Sequence, residues 1–295
     1  MIQAAKDRGI RQVMVNTNGV RIARDDAFLD GLAQLEPVIY FQFDGLRPET
    51  YQTIRGEDLL DLKLRELDRM AEKGLDAVLV AAIERGVNTD EVGAILEFGL
   101  EHPAVRGVVF QLVTHVGRHI DFDPLERVTI PDVLHGLVDQ AHGKFVMEDF
   151  VPVPCCFPTC QVNSYVFVDG ENTVPLPRML DIDQYLDYIT NRALPKPTNS
   201  ADVQNALEGL WSASAVAGTE QTADQFQCAC GPGYTFNVKQ VMKCCVGILV
   251  PDGRVIPFCA YNSVGYREQI EEELSRERTL ERARKKIEFA ERSNS

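Results

Sequence analysis

Short apolar runs alternate with helical stretches through residues 1–130, and each run closes on a polar or glycine-containing turn. Ile10–Asn16 (IRQVMVN) ends at Asn18-Gly19, and Val38–Phe43 (VIYFQF) ends at Asp44-Gly45. Asp76–Ile83 and Val105–Val113 (VRGVVFQLV) follow. Between the runs, helical periodicity covers Ile22–Leu35, Asp58–Lys73 and Thr89–Glu101. Gly74 stands just past the second of these, where a helix end favours glycine. Apolar strands alternating with amphipathic helices predict a parallel sheet covered by helices. Right-handed crossovers would set the strands side by side.

A sheet of this kind gathers ligands at the C-terminal ends of its strands. Here those ends read Asn16-Thr17-Asn18-Gly19, Gln42-Phe43-Asp44-Gly45, Glu84-Arg85-Gly86 and Thr114-His115. Asn-Gly and Asp-Gly are ordinary turn pairs, so each end alone is explained by turn chemistry. Four polar ends on one sheet point to a site. His115 and His119 read as loop residues, because Gly117-Arg118 intervenes just after a strand. Met1 opens inside a helical stretch, AAKDRG, with nothing before it to begin the sheet. Four strands do not close a barrel, so the expectation is an α/β barrel truncated at its N-terminus.

The pattern changes after residue 130. A helix is expected over Pro131–Lys144, a proline- and cysteine-rich loop over Val151–Cys160, and a strand over Val162–Val168 turning at Asp169-Gly170. Helices follow at Asp183–Arg192 and Val203–Gly218, joined by a linker over 194–200. A charged surface helix is expected over Glu268–Arg292. The chain thus divides into residues 1–130, 131–267 and 268–295.

All eight cysteines lie in the middle segment, in three groups. Cys155, Cys156 and Cys160 stand in PVPCCFPTC, Cys228 and Cys230 precede Gly-Pro-Gly, and Cys244, Cys245 and Cys259 stand in CCVGILVPDGRVIPFC. Pro251-Asp252-Gly253 reads as a hairpin turn that folds Cys259 back toward Cys244 and Cys245. Without a secretion signal, clustered cysteines point to metal or redox chemistry. Thiolates suit iron–sulfur clusters or zinc, and eight suffice for two four-cysteine clusters. Zinc is the rival, although only Cys156-x3-Cys160 has the usual zinc spacing. Buried free thiols are the third reading.

Composition narrows the partners. The net charge of −14 is offset by no basic stripe, which argues against a nucleic-acid backbone. The most apolar stretch, Leu75–Ile83, contains Asp76 and is far shorter than the ~20 residues that span a bilayer. The N-terminus has no apolar signal region. A cytoplasmic location is expected, with a lipid substrate still reachable through a cleft or a peripheral surface.

On these residues the chain resembles the radical S-adenosylmethionine (SAM) superfamily. The succession VNTNG, FQFDG and VAAIERGVN resembles the middle and later strands of its barrel. PCCFPTC and PDGRVIPFCAYNS resemble the C-terminal region of the tetraether synthase-like branch, which includes archaeal lipid cross-linking enzymes. The resemblance covers most of residues 10–267. It implies SAM and auxiliary [4Fe-4S] clusters as cofactors, with all eight cysteines as metal ligands. It also implies an electron donor such as ferredoxin or flavodoxin. Gln42 and Asp44 would approach the SAM ribose, and Asn16, Thr17, Asn18, Glu84 and His115 would stand around the cofactor. The implied chemistry is hydrogen abstraction by a 5′-deoxyadenosyl radical. It would end in carbon–carbon bond formation or alkylation of a lipid or related small molecule, with a pterin or a peptide as alternatives. The sequence departs from the family in lacking C-x3-C-x2-C and Gly-Gly-Glu-Pro, so the chain alone is expected not to cleave SAM. The alternative is an iron–sulfur or zinc protein for electron transfer or structure, without SAM activity.

Overall fold

The computed structural model describes residues 1–10, 12–113, 123–152, 161–169, 172–178, 224–229, 241–242, 244, 246–263 and 265–276. Contacts divide the chain into two compact units. One is Met1–Pro154 with Pro158–Gly231, and the other is Cys155–Phe157 with Pro232–Ser295.

The first unit is built on one sheet. Strands β1 (Met14–Thr17), β2 (Val38–Gln42), β3 (Ala77–Ile83) and β4 (Val105–Leu112) are parallel neighbours in chain order. Between and before them run α1 (Ile2–Lys6), α2 (Val20–Arg24), α3 (Asp26–Leu35), α4 (Pro48–Arg55), α5 (Leu60–Glu72) and α6 (Val92–Glu101). Helix α7 (Ile130–Gln140) follows β4. Ile39, Phe41, Phe43, Leu79, Ala81 and Phe110 share one core with Leu29, Leu67, Ile95 and Leu137 of the helices. These strand residues alternate along the chain, so the helices cover one face of the sheet.

The helix expected over Ile22–Leu35 is two helices. Asp25 leaves helical geometry (φ −130°, ψ 95°), and its carboxylate accepts from Phe28 N at 2.9 Å, capping α3. Helix α4 escaped the sequence reading because PETYQTIR carries too few apolar residues for a clear stripe. Its signals are a proline in the first turn and Gly56 at its end. Gly74 does follow α5, at φ 65°.

The sheet continues past residue 130, where a domain boundary is expected. Strand β8 (Asp224–Ala229) lies parallel to β4, and β6 (Gln161–Asp169) lies antiparallel to β8. Strands β5 (Val151–Pro152) and β7 (Asn172–Pro175) pair with β6. Val162 and Val166 join the core of the first unit, which draws β6 into this sheet.

In the second unit, β9 (Gly247–Leu249) and β10 (Val255–Pro257) form the expected hairpin about Pro251-Asp252-Gly253. Gly253 N donates to Val250 O at 2.9 Å. Helix α8 (Phe258–Ser263) follows, and residues 266–276 are helical. Val250, Ile256, Ala260 and Ile270 form a small core there. Among the described residues, no helix is long and apolar enough to cross a membrane.

Candidate functional site

The face of the sheet opposite the helices carries a different set of side chains. Parallel register aligns Asn16 with Tyr40, Gln42 with Val80, and Val80 with Val109. Ala82 aligns with Gln111. Asn16 and Gln111 are exposed, Tyr40 and Gln42 half-buried, and Val80 and Val109 buried outside the helix-side core. Gln111 Nε2 donates to the Tyr40 hydroxyl at 2.9 Å, across β3. Burial pushes the Tyr40 phenol above its ordinary value, against the Gln111 hydrogen bond, so it remains a hydroxyl at neutral pH.

At the strand ends the predicted residues separate into two kinds. Asn16 and Asn18 are exposed, Thr17, Gln42 and Glu84 are half-buried, and Asp44 is fully buried. Asp44 receives Arg55 Nε at 2.7 Å, Arg55 Nη2 at 2.8 Å and Ala82 N at 3.0 Å. The Asp44 carboxylate therefore fixes Arg55 and the end of β3 and has no surface for a ribose. Gln42 faces the same guanidinium, with its amide oxygen 2.7 Å from Arg55 Nη1 when turned toward it.

Two buried polar residues complete this support, and the sequence reading missed both. Asn88 donates to Asp44 O and Ala82 O, each at 2.8 Å, and accepts from Glu84 N at 2.9 Å. It thereby ties the ends of β2 and β3 together. Glu91 accepts from Leu46 N at 2.7 Å and from the Thr50 hydroxyl, and pairs with Arg47 at 3.1 Å. Asn88 occurs in the run ERGVN, so a signal was present. Its buried position was visible only in three dimensions.

Beneath the turn Asn16–Gly19 lies a buried ion pair, Lys63 and Glu66 of α5. They are 1% and 0% exposed, with Nζ 3.6 Å from Oε2. Lys63 Nζ also donates to Asn18 O and sits 4.7 Å above the Phe41 ring. Among the described residues, neither Glu66 oxygen has a hydrogen-bond donor. Lys63, Glu66, Leu67 and Met70 are the buried residues of α5. They fall on one helical stripe, so the helix periodicity itself placed two charges on the core-facing side.

Burial pushes the Glu66 carboxyl up to about 7 from 4.5, while Lys63, Arg24 and Arg65 pull it down. Burial also lowers the Lys63 ammonium, against Glu66 and Asp44, with Arg55 lowering it further. A carboxyl raised on folding holds its proton more tightly in the folded chain. Its contribution to stability is full below the unfolded value and is lost as pH rises through about 7. In Glu66→Gln this loss disappears, so the variant should gain on the wild type as pH rises from about 4.5 to 7.5. Urea unfolding of both proteins across that range checks this. A pH-independent difference would count against it.

The metal expectations fall mostly elsewhere. His115, Cys155, Cys156, Cys160, Cys230 and Cys245 lie outside the described residues. Cys228 stands within β8, at the register position of Phe110 and Val162. Cys259 belongs to the first turn of α8, just past the end of β10 at Pro257. Cys244 is half-buried, and its thiol donates to Val246 O at 3.2 Å. Among the described residues, no three His, Cys, Asp or Glu side chains are grouped to hold a metal.

No family model matches the chain. The 7,8-dihydro-6-hydroxymethylpterin dimethyltransferase of Methanocaldococcus jannaschii is 30% identical over 332 aligned residues, which cover 93% of this chain and 65% of that protein. The similarity runs along almost the whole of this chain. A probable GTP 3′,8-cyclase of Methanothermobacter thermautotrophicus is 32% identical over 159 residues, 50% of this chain and 49% of the cyclase. The chain thus spans 65% of the length of the first relative and about half of the second. Among solved structures, a domain of pyruvate-formate lyase-activating enzyme from Bacteroides vulgatus overlaps 48% of this chain and 80% of its own. Its TM-score of 0.37 and identity of 15% are too low to add to the argument.

Proposed function

We propose that this chain belongs to a radical SAM enzyme that alkylates a dihydropterin. The relation to the pterin dimethyltransferase runs along 93% of the chain and carries this reading. The expectation of a lipid substrate draws no support from the relatives, whose names concern a pterin and GTP. Asn16 and Gln42 fit the cofactor's place. They are polar side chains within reach of solvent on one sheet face, at the C-terminal ends of neighbouring strands. Asn88 and Asp44 hold that end in shape. When bound at a reduced iron–sulfur cluster, SAM supplies a carbon radical able to remove hydrogen from an unreactive C–H bond. Asn16 and Gln42 would hold the adenosyl end by hydrogen bonds.

The test uses anaerobically purified, iron-loaded protein carrying this chain, with reductant and SAM. Formation of 5′-deoxyadenosine should rise when 6-hydroxymethyl-7,8-dihydropterin is added. In Gln42→Leu it should fall roughly tenfold, as expected for one lost hydrogen bond at a charged or polar ligand. Output that does not respond to the pterin would overturn the substrate assignment. No 5′-deoxyadenosine at all would favour the electron-transfer reading.

A further inference from the structure

We infer that Lys63 and Glu66 are positioning residues: they latch the turn that carries Asn16 and Asn18, and the proton on Glu66 sets how tightly. The inference rests on the proposed function for what that turn does, which is to present Asn16 to the adenosyl end of SAM.

The elements on either side of the turn are short. Strand β1 has four residues and opens the sheet, with β2 as its described neighbour. Helix α2, which leaves the turn, has five. Helix α5 is longer, and Leu67 and Met70 root it in the core.

One peptide group of the turn is gripped on all sides. The Asn18 carbonyl and the Gly19 N–H belong to the same peptide unit. The carbonyl receives Lys63 Nζ, and the N–H donates to Thr17 Oγ1 at 3.0 Å. Gly19 stands at φ 81°, with Glu66 Oε2 and Phe41 Cε2 so close that a Cβ would not fit. Gly19 O accepts from Ile22 N at 2.6 Å, which starts α2. The position of α5 therefore passes to the turn through Lys63 and Glu66.

The ammonium has two competing partners. At 3.6 Å it attracts Glu66 Oε2 without a close hydrogen bond, while it donates to Asn18 O. With Glu66 ionised, its pull is divided between the two. With Glu66 protonated, the attraction to the carboxylate is gone, and the ammonium over the Phe41 ring turns to Asn18 O. A buried charge needs such a partner. The other charges bearing on the pair are Arg24 of α2, Arg65 of α5, and Asp44 and Arg55. Because burial raises the Glu66 carboxyl to about 7, both states are populated near neutral pH.

Nuclear magnetic resonance of the isotope-labelled chain tests the latch. The Gly19 amide nitrogen shares its peptide group with Asn18 O and reports that hydrogen bond. Its shift should titrate with a midpoint near 7, toward the more strongly hydrogen-bonded value as pH falls. In Glu66→Gln the titration should vanish. The uncharged double variant Lys63→Met with Glu66→Met should keep its melting temperature, because replacing both members of a buried pair is often neutral or stabilising. Its Gly19 and Ile22 amides should nonetheless exchange roughly tenfold faster, as expected for one lost hydrogen bond to a charged group. A Gly19 shift that is flat in the wild type, or that titrates equally in Glu66→Gln, would overturn the inference. Wild-type exchange in the double variant would overturn it too. SAM titrated into the anaerobic, iron-loaded protein carrying this chain should bind more weakly to the double variant. Unchanged SAM affinity beside a loosened turn would leave the latch standing and remove the cofactor from Asn16.

Discussion

Asp44→Ala should destabilise the first unit by roughly 3–5 kcal/mol, the range for breaking a buried ion pair from one side. The lower end applies, because the Arg55 side chain keeps 33% of its surface in water. The loss has two parts. Arg55 loses both hydrogen bonds to Asp44, and Ala82 N loses its acceptor inside the sheet. Urea unfolding would show the drop. The double variant Asp44→Asn with Arg55→Met should recover much of it, since the asparagine oxygen still receives Ala82 N and no charge is left unpaired. If Asp44→Ala unfolded like the wild type and lost only SAM affinity, a ribose-binding role would be restored to Asp44.

Gly19→Ala should cost a similar amount, roughly 2–5 kcal/mol. Gly19 has φ 81°, where an alanine loses about 1–2 kcal/mol. An added Cβ would also overlap Glu66 Oε2 and Phe41 Cε2, and overpacking of this kind typically costs about 1–3 kcal/mol. Glu66 is confined by Lys63, and Phe41 belongs to the core, so neither yields readily. The turn carrying Asn16 and Asn18 should shift as a result. A thermal midpoint within a degree of the wild type would refute the close packing.

Much of the first unit was legible because apolar alternation fixes which strand residues face the helices. Ile39, Phe41 and Phe43 alternate with Tyr40 and Gln42, and the structure separates them onto opposite faces. The same alternation placed the polar strand ends together. It did not reveal which of them was used internally. Asp44 and Gln42 looked alike in FQFDG and both face Arg55; the full burial of Asp44 and its bond from Ala82 N distinguish them. Lys63 and Glu66 were readable in the helix stripe, but a surface helix with charges is ordinary, so burial carried the new information. Strand β8 was the hardest element. DQFQCA is short and mostly polar, and its partners β4 and β6 lie far from it in sequence.

That remoteness has a consequence for how the chain is made. During synthesis β4 and β6 emerge before the strand that lies between them. Val109 must wait for Gln227, more than a hundred residues later, before that side of β4 is hydrogen-bonded. Closing so long a loop adds little to its final free-energy cost, because the entropy grows only logarithmically with length. It does delay the contact, and pairings between distant segments form slowly. For that interval a nascent chain on the ribosome presents two open strand edges with apolar neighbours, the kind of surface that chaperones retain and that aggregates otherwise. The row from Gln42 through Val80 and Val109 to Asn163 becomes continuous only when β8 pairs, so this face of the sheet is among the last parts of the folding chain to be completed.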